Sequence, residues 1–243
     1  MNLIVGASSG LGRSLAKYFV RIDKTFLVSR KKIQLDLNLN NAKKIEFDIT
    51  NRNTNKLIKL IKKKSLSNVI FTVGLIDWSN DDINISDKSS RAIIDTNFYC
   101  ITRLIYQLIK KKKLKENCLI CFCSSVTTIL PRHRQIMYCA AKSALNSFSK
   151  SLNFYIKINK LNFRVANILL GYMKTEMNRS IKTPLKKINT EIVASYIFFN
   201  REKIEGEIFF PKYWLGIKLL ISLIPTKIIL LVLKIFFFKK KYF

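Results

Sequence analysis

The chain has 243 residues, with 44 Lys and Arg against 15 Asp and Glu, for a formal charge of +29. At 49% apolar and 12% aromatic it is not a disordered chain despite that charge, and its length suits one α/β body with a full core. The 33 Lys, 20 Asn and 34 Ile stand against 7 Gly, 9 Ala, 11 Arg and 4 Pro. This skew runs through the whole chain and points to a composition bias rather than to a basic binding face. A dedicated nucleic-acid reader would concentrate its charge among aromatics on a recognisable motif; none is found, and no specific nucleic acid is expected.

The N-terminus opens with the apolar strand Asn2–Val5, then Gly6-Ala-Ser8-Ser9-Gly10-Leu11-Gly12, then a helical pattern over Arg13–Val20. Further strands are predicted at Thr25–Ser29, Lys44–Phe47 and Asn68–Val73, with a helix over Asn55–Lys64 between the last two. The polar segment Asp77–Ser90 reads as a loop, followed by a long helix over Arg91–Lys113. Strand Cys118–Cys123, helix Ile136–Lys157, strand Phe163–Leu169 and strand Glu207–Phe210 complete the series. Strands alternating with helices predict a doubly wound, Rossmann-type parallel sheet of about seven strands with helices on both faces.

The five cysteines are Cys100, Cys118, Cys121, Cys123 and Cys139, an odd number without a cleavable signal, which points to a reducing compartment. Cys118-x-x-Cys121 falls within an apolar strand, where Cys is a small apolar filler, and no second pair completes a zinc site. No metal is expected.

A glycine-rich turn between a first strand and a helix lets backbone N–H groups approach a pyrophosphate at the helix N-terminus. The glycines at 6, 10 and 12 stand in that place. The cofactor ribose belongs at the end of the second strand, where an acid favours a free 2′-hydroxyl and an Arg favours a 2′-phosphate. Ser29-Arg30 offers no acid, so NADP(H) is favoured over NAD(H).

Tyr138-Cys-Ala-Ala-Lys142 places a phenol and an ammonium four residues apart on one helix face. A nearby ammonium favours the phenolate and brings proton transfer into range at neutral pH. Ser125 lies 13 residues before Tyr138, and Asn97 lies in the preceding helix. With the 6/10/12 glycines, this set resembles the short-chain dehydrogenase/reductase family over roughly residues 2–211. The resemblance implies that Tyr138 is the general acid in carbonyl reduction and that Lys142 lowers the tyrosine pKa and holds the nicotinamide ribose. Ser125 would hydrogen-bond the carbonyl oxygen, and Asn97 would hold a water linking Lys142 to solvent. It also implies cofactor contacts through Gly6, Ser8, Ser9, Gly10, Leu11, Gly12, Arg30, Asp48, Ile49, Gly74, Tyr138, Lys142, Gly171 and Thr175, and a homodimer or homotetramer through the two long helices. Three positions depart from the family pattern: Val5 replaces a Thr, Phe71-Thr-Val-Gly74 lacks the Asn, and Leu170 replaces a Pro. Arg132-His133-Arg134 falls where the substrate entrance belongs; an anionic substrate is one reading, and a solvated piece of basic surface is favoured.

After Pro211 an apolar, lysine-dotted tail occupies residues 212–243, with Pro225 inside it and Lys227 near the centre. Two short helices lying on an anionic membrane surface, with lysines 218, 227, 234 and 239–241 reaching phosphates, suit this pattern better than a span. A tail packed on its own domain or in a dimer interface is the alternative. The expectation is a catalytic domain over 1–211 and a membrane-surface anchor over 212–243, on the cytoplasmic face. Its activity would be NADPH-dependent reduction of a small-molecule or lipid-linked carbonyl. Rival readings are a soluble NAD(P)-dependent alcohol dehydrogenase and a non-catalytic nucleotide-fold scaffold.

Overall fold

A computed structural model of the chain describes residues 1–34, 40–51, 53–78, 81–179, 183 and 185–231. Seven strands form one parallel sheet: β1 (Asn2–Val5), β2 (Thr25–Ser29), β3 (Ala42–Glu46), β4 (Leu66–Phe71), β5 (Leu114–Ser125), β6 (Phe163–Leu170) and β7 (Gly206–Phe210). Their order is β3-β2-β1-β4-β5-β6-β7. Because β1 pairs with both β2 and β4, the winding reverses there, and a crevice opens at the C-terminal ends of the central strands. The helices beside it among the described residues include α1 (Gly10–Phe19), α2 (Asn55–Leu60), α3 (Asp87–Ile94), α4 (Cys100–Lys110), α5 (Ile136–Ile158), α6 (Thr190–Asn200) and α7 (Tyr213–Leu223).

The central strands are continuous apolar runs because both of their faces are buried. Successive side chains point to opposite faces, so each strand feeds two cores. Leu3, Val5, Val69, Phe71, Ile120 and Phe122 pack under α4 and α5 through Leu104, Leu108, Leu145 and Leu152. On the other face Ile4, Leu27, Ile70 and Cys121 pack under Leu15 and Phe19 of α1 and Val193 and Ile197 of α6. Each fully buried Leu or Phe contributes roughly 1.5–3 kcal/mol, so the sheet between these helices is the rigid part of the molecule. All five cysteines are free and buried, and Cys118, Cys121 and Cys123 lie within β5 as apolar filler.

Several boundaries differ from the sequence expectation. The long helix begins at Asp87 rather than Arg91, because Ser86 caps it by accepting from Ser89 N–H at 3.2 Å. It is then interrupted by a π-turn over Asp95–Tyr99 before α4 continues to Lys110. The β5 strand extends to Ser125 because β6 pairs with it as far as Leu170. Helix α6 had no predicted counterpart: Ile192, Val193, Ala194, Ile197, Phe198 and Phe199 leave no polar stripe to reveal a helical period.

The tail forms the two short helical pieces expected of it, as far as it is described. Helix α7 ends at Leu223, Ile224 is extended before Pro225, and helical backbone resumes from Thr226 to Leu231. Lys234 and lysines 239–241 lie outside the described residues. Trp214 packs with Val126, Leu169 and Phe209, and Lys218 donates to Glu207 at 2.7 Å. Lys218 is therefore turned toward its own domain rather than outward. Burial pushes the Glu207 carboxyl up, but hydrogen bonds from Lys218 and Lys150 outweigh it and leave the group below its ordinary value. Leu215, Leu219, Leu220 and Leu223 remain exposed on the other side of α7. No helix among the described residues is long and apolar enough to cross a membrane.

Candidate active site

The turn after β1 is closed sterically by its glycines. Gly6 and Gly10 adopt φ of 98° and 50°, in the left-handed region where side chains are strained. A Cβ on Gly12 would lie 2.1 Å from the Gly6 carbonyl oxygen, so only glycine lets α1 start this close to β1. Val5 supplies no hydroxyl to this turn, but Thr72 does: its Oγ1 donates toward the Val5 and Gly6 carbonyls, at 3.0 and 3.2 Å. The departure Phe71-Thr-Val-Gly74 thus makes up for the departure at Val5, a compensation between two segments that lie 67 residues apart.

A cleft of about 330 Å³ opens beside this turn. Ser8, Ser9, Gly10 and Leu11 line one end, followed by Arg30, Asp48 and Ile49, with Gly74 at the centre and Ser125, Tyr138 and Lys142 beyond. Gly6, Gly171 and Thr175 also line it. Thr175 packs across the turn, its Cγ2 being 3.2 Å from where a Cβ on Gly10 would stand. Asp48 is committed locally, accepting from the N–H and hydroxyl of Thr50 at 2.9 and 2.7 Å. Arg103 holds the same segment through the Ile49 and Asn51 carbonyls at 2.8 and 2.6 Å. Gly12 and Asn97 lie behind the cleft wall rather than on it.

Asn97 sits in the π-turn and is fully buried. Its Nδ2 donates to the Leu75 and Ile93 carbonyls at 2.6 and 2.9 Å, and its Oδ1 accepts from Leu75 N–H at 3.3 Å. A π-turn carries one extra residue per loop of helix and commonly marks a functional position. Here it turns Asn97 toward the Gly74–Leu75 backbone. Asn97 Oδ1 and Lys142 Nζ both approach Gly74, at 3.3 and 3.9 Å from its would-be Cβ.

Helix α5 brings Tyr138 and Lys142 to the cleft, and its first turn is held in an unusual way. Gln135, at the N-cap, is left-handed (φ 61°) and makes no side-chain cap. Asp81 caps the helix instead: its carboxylate accepts from Met137 and Tyr138 N–H at 2.8 and 2.9 Å. Its backbone carbonyl accepts from Gln135 and, at 3.3 Å, from Ile136. A carboxylate at a helix N-terminus satisfies orphan donors and complements the dipole. Asp81 is 2% exposed. Sequence reasoning left it in a polar loop, because a cap supplied from 56 residues away carries no local spacing signal.

Burial governs the two titratable groups that α5 brings to the cleft. Burial pushes the Tyr138 phenol above its ordinary value, against the lowering effects of the Arg132 charge and of a hydrogen bond with Ser125. The expectation that Lys142 lowers the phenol is thus not met: burial raises it, and the opposing influences come from Arg132 and Ser125 rather than from Lys142. Lys142 is 3% exposed and donates to the Cys123 carbonyl at 3.2 Å. Its Nζ stands 5.8 Å from the centre of the Tyr138 ring. Burial lowers the Lys142 ammonium to about 8, with Cys123 and Cys100 opposing the shift. Among the described residues no three His, Cys, Asp or Glu side chains come together as a metal ligand set.

The short chain dehydrogenase profile matches residues 1–186. The chain belongs to the short-chain dehydrogenase family. This makes it an NAD(P)-dependent oxidoreductase of that family. Similar proteins include the 3-oxoacyl-(acyl-carrier-protein) reductase of Rickettsia prowazekii, 27% identical over 179 residues, covering 72% of this chain and 73% of that protein. A short chain dehydrogenase from Burkholderia cenocepacia, solved in complex with NADP, superposes with a TM-score of 0.71 at 20% identity, over 86% of each chain. A 4-hydroxyisoleucine dehydrogenase complexed with NADH and succinate superposes with a TM-score of 0.70 at 22% identity, over 86% of this chain and 96% of that one. The dehydrogenase fold thus accommodates either nucleotide. The turn that Gly6 and Gly10 bend through the left-handed region lines the cleft together with Ser8, Ser9 and Leu11, and it fits such a cofactor.

Sequence reasoning also missed Thr72, Trp78 and Tyr172. Trp78 Nε1 donates to the Met177 carbonyl at 2.6 Å, joining the loop after β4 to the segment after β6 at the cleft. An aromatic in each of these loops was the available signal.

Two outcomes follow from this geometry. Asp81→Ala leaves Met137 and Tyr138 N–H without their acceptor and is expected to cost about 2–4 kcal/mol in chemical denaturation, with Asp81→Asn intermediate. Lys142 behaves in the opposite sense. Its folded value of about 8 lies below the ordinary 10.5, so the unfolded chain binds more protons between those values and stability rises with pH there. The penalty is complete below pH 8. Lys142→Met should therefore raise stability by about 2–3 kcal/mol at pH 7, an advantage that fades as pH approaches the unfolded value. Urea denaturation at pH 7 and pH 10 measures it.

Proposed function

We propose that this dehydrogenase reduces a carbonyl to an alcohol with NADPH, acting on a hydrophobic, lipid-borne substrate at the surface of an anionic membrane. The observation that carries the reductase reading is the meeting of Ser125, Tyr138 and the buried Lys142 at one cleft beside the glycine turn. The bound nucleotide would supply the hydride, while the protein orients the partners and manages the proton. Ser125 and Tyr138 bind the carbonyl oxygen. Tyr138 passes its proton to that oxygen as charge develops there, and the Lys142 ammonium stabilises the phenolate left behind. Asn97 keeps Gly74–Leu75 in place beside Lys142 and offers Oδ1 toward a water at that point.

The glycine turn and Ser8, Ser9 and Leu11 would hold the pyrophosphate, Asp48–Ile49 the adenine, and Gly171 and Thr175 the nicotinamide side. Arg30 is exposed at the end of β2 and lines the cleft, which suits a 2′-phosphate. The exposed Tyr106, Phe154, Tyr155 and Ile158 on α4 and α5 support a homodimer or homotetramer through those helices.

The membrane reading rests on α7. Its outer face carries Leu215, Leu219, Leu220 and Leu223 in a chain of charge +29, the combination that an anionic lipid surface attracts. The body over 1–211 would do the chemistry and 212–243 the anchoring, on the cytoplasmic face where NADPH is available. The docking of Trp214 favours a second reading, in which the tail is a fixed part of the enzyme and of its oligomer.

Fluorescence titration with NADPH and NADH tests the cofactor. NADPH should bind more tightly, and Arg30→Ala should reduce that preference about 10-fold or more; equal binding of both nucleotides by the wild type removes the Arg30 argument. Tyr138→Phe should lower kcat by at least 100-fold for any carbonyl reduced, and retained turnover in that variant overturns the assigned proton donor. For the membrane, the full chain should co-sediment with vesicles containing anionic lipid, and Leu219→Asp with Leu223→Asp should abolish it. These substitutions leave Trp214 in place. Equal sedimentation of both proteins refutes the anchor.

A further inference from the structure

Of the three basic residues between Ser125 and Tyr138, Arg132 is half-buried and lines the cleft, whereas His133 and Arg134 are exposed. The expectation that all three belong to a solvated basic surface fails for Arg132. Its guanidinium carbon stands 4.7 Å from the centre of the Tyr172 ring and 5.6 Å from that of Trp78. These rings come from two separate loops, after β6 and after β4, joined to each other by the Trp78–Met177 hydrogen bond. Three chain segments thus converge to hold one cation at the cleft.

A guanidinium stacked on aromatic faces keeps its in-plane N–H donors for another group, which is why arginine serves planar oxyanion recognition. Among the described residues no carboxylate forms an ion pair with Arg132. Asp81, in the segment after β4 that also carries Trp78, spends its carboxylate on α5. Glu176, also at the cleft, pairs with Arg179 at 3.7 Å. A cation partly withdrawn from water, fixed by two rings and without an ion pair among the described residues is arranged for an external anion. Its field reaches the Tyr138 phenol, which places it at the reacting end of the cleft rather than at the Arg30 end.

We infer that Arg132, stacked on Trp78 and Tyr172, is a specificity-determining residue that binds an oxyanion carried by the substrate close to its reacting carbonyl. The substrate class is an oxo acid or a phosphorylated ketone, and a lipid whose polar head bears such a group belongs to it. The inference rests on the reductase reading for its carbonyl but not for its anion.

The test compares matched probes on the full-length protein with NADPH: acetoacetate against methyl acetoacetate, and dihydroxyacetone phosphate against dihydroxyacetone. The expected result is a preference for the charged member of at least one pair in kcat/KM. Arg132→Gln should shrink that preference about 10- to 100-fold, chiefly through KM. Arg132→Lys, which keeps the charge but not the planar fork, should recover only part of it. The pair that responds tells carboxylate from phosphate. Calorimetric titration of the two anions, with and without NADP⁺, reads the same site without turnover. Arg132-dependent binding there upholds the anion site even where no probe is reduced and NADPH fails to bind, an outcome that removes the reductase reading alone. A charged-to-neutral ratio unchanged in Arg132→Gln, together with no Arg132-dependent binding of either anion, overturns the inference.

Discussion

The reactive end of this cleft depends on a single buried carboxylate. Asp81 gathers the amide hydrogens of Gln135 through Tyr138, using both its side chain and its backbone, so the first turn of α5 cannot rotate without breaking several bonds at once. The direction of α5 fixes where Tyr138 and Lys142 point, since both hang from the same helix face. The constraint is worth having because Lys142 opposes it. An ammonium that burial lowers to about 8 would be more stable in water, and the capped helix holds it near the C-terminal end of β5 beside Cys123. The cleft therefore carries local strain of an electrostatic kind, offset by capping at the helix start and by the packing of Leu145, Leu152 and Ile156 farther along α5.

The same logic of compensation governs the nucleotide turn. The geometry forced by Gly6 and Gly12 brings β1, α1 and the end of β4 so close that a hydroxyl is needed among the carbonyls, and Thr72 provides it. A turn lacking a hydroxyl at position 5 and a β4 end lacking an amide side chain look like two separate losses in sequence. In space they are one exchange. The family membership of the chain accords with this, since neither departure opens the glycine cradle.

The sheet was legible because its strands are buried on both faces and bounded by turn residues, which leaves a pattern that a composition bias cannot imitate. Spacing alone put Tyr138 and Lys142 on one helix face, but in a lysine-rich chain that pattern is common, and their grouping with Ser125 was legible only through the resemblance to the short-chain dehydrogenase family. Asp81, Thr72 and the Trp78–Arg132–Tyr172 stack were not, because each depends on residues brought together by the fold from separate loops. Helix α6 was illegible for a different reason: apolar side chains all round it erase the stripe that a helical period needs. Arg132 shows how a strong background hides a signal. In a chain with 44 basic residues one more arginine carries no weight until its neighbours are seen to be two aromatic rings.

The tail bears on the cleft through topology. In a parallel sheet all strands deliver their C-terminal ends to one side, and the cleft occupies that side. The chain leaves β7 at the same side to form α7, so the tail begins at the cleft rim rather than at the far end of the molecule. The contact is direct: a Cβ on Gly171 would stand 2.8 Å from Trp214 Nε1, and Gly171 leads within four residues to Thr175 over the glycine turn. The inner face of α7 therefore braces the loop that carries Tyr172 and Thr175, while its outer face presents leucines.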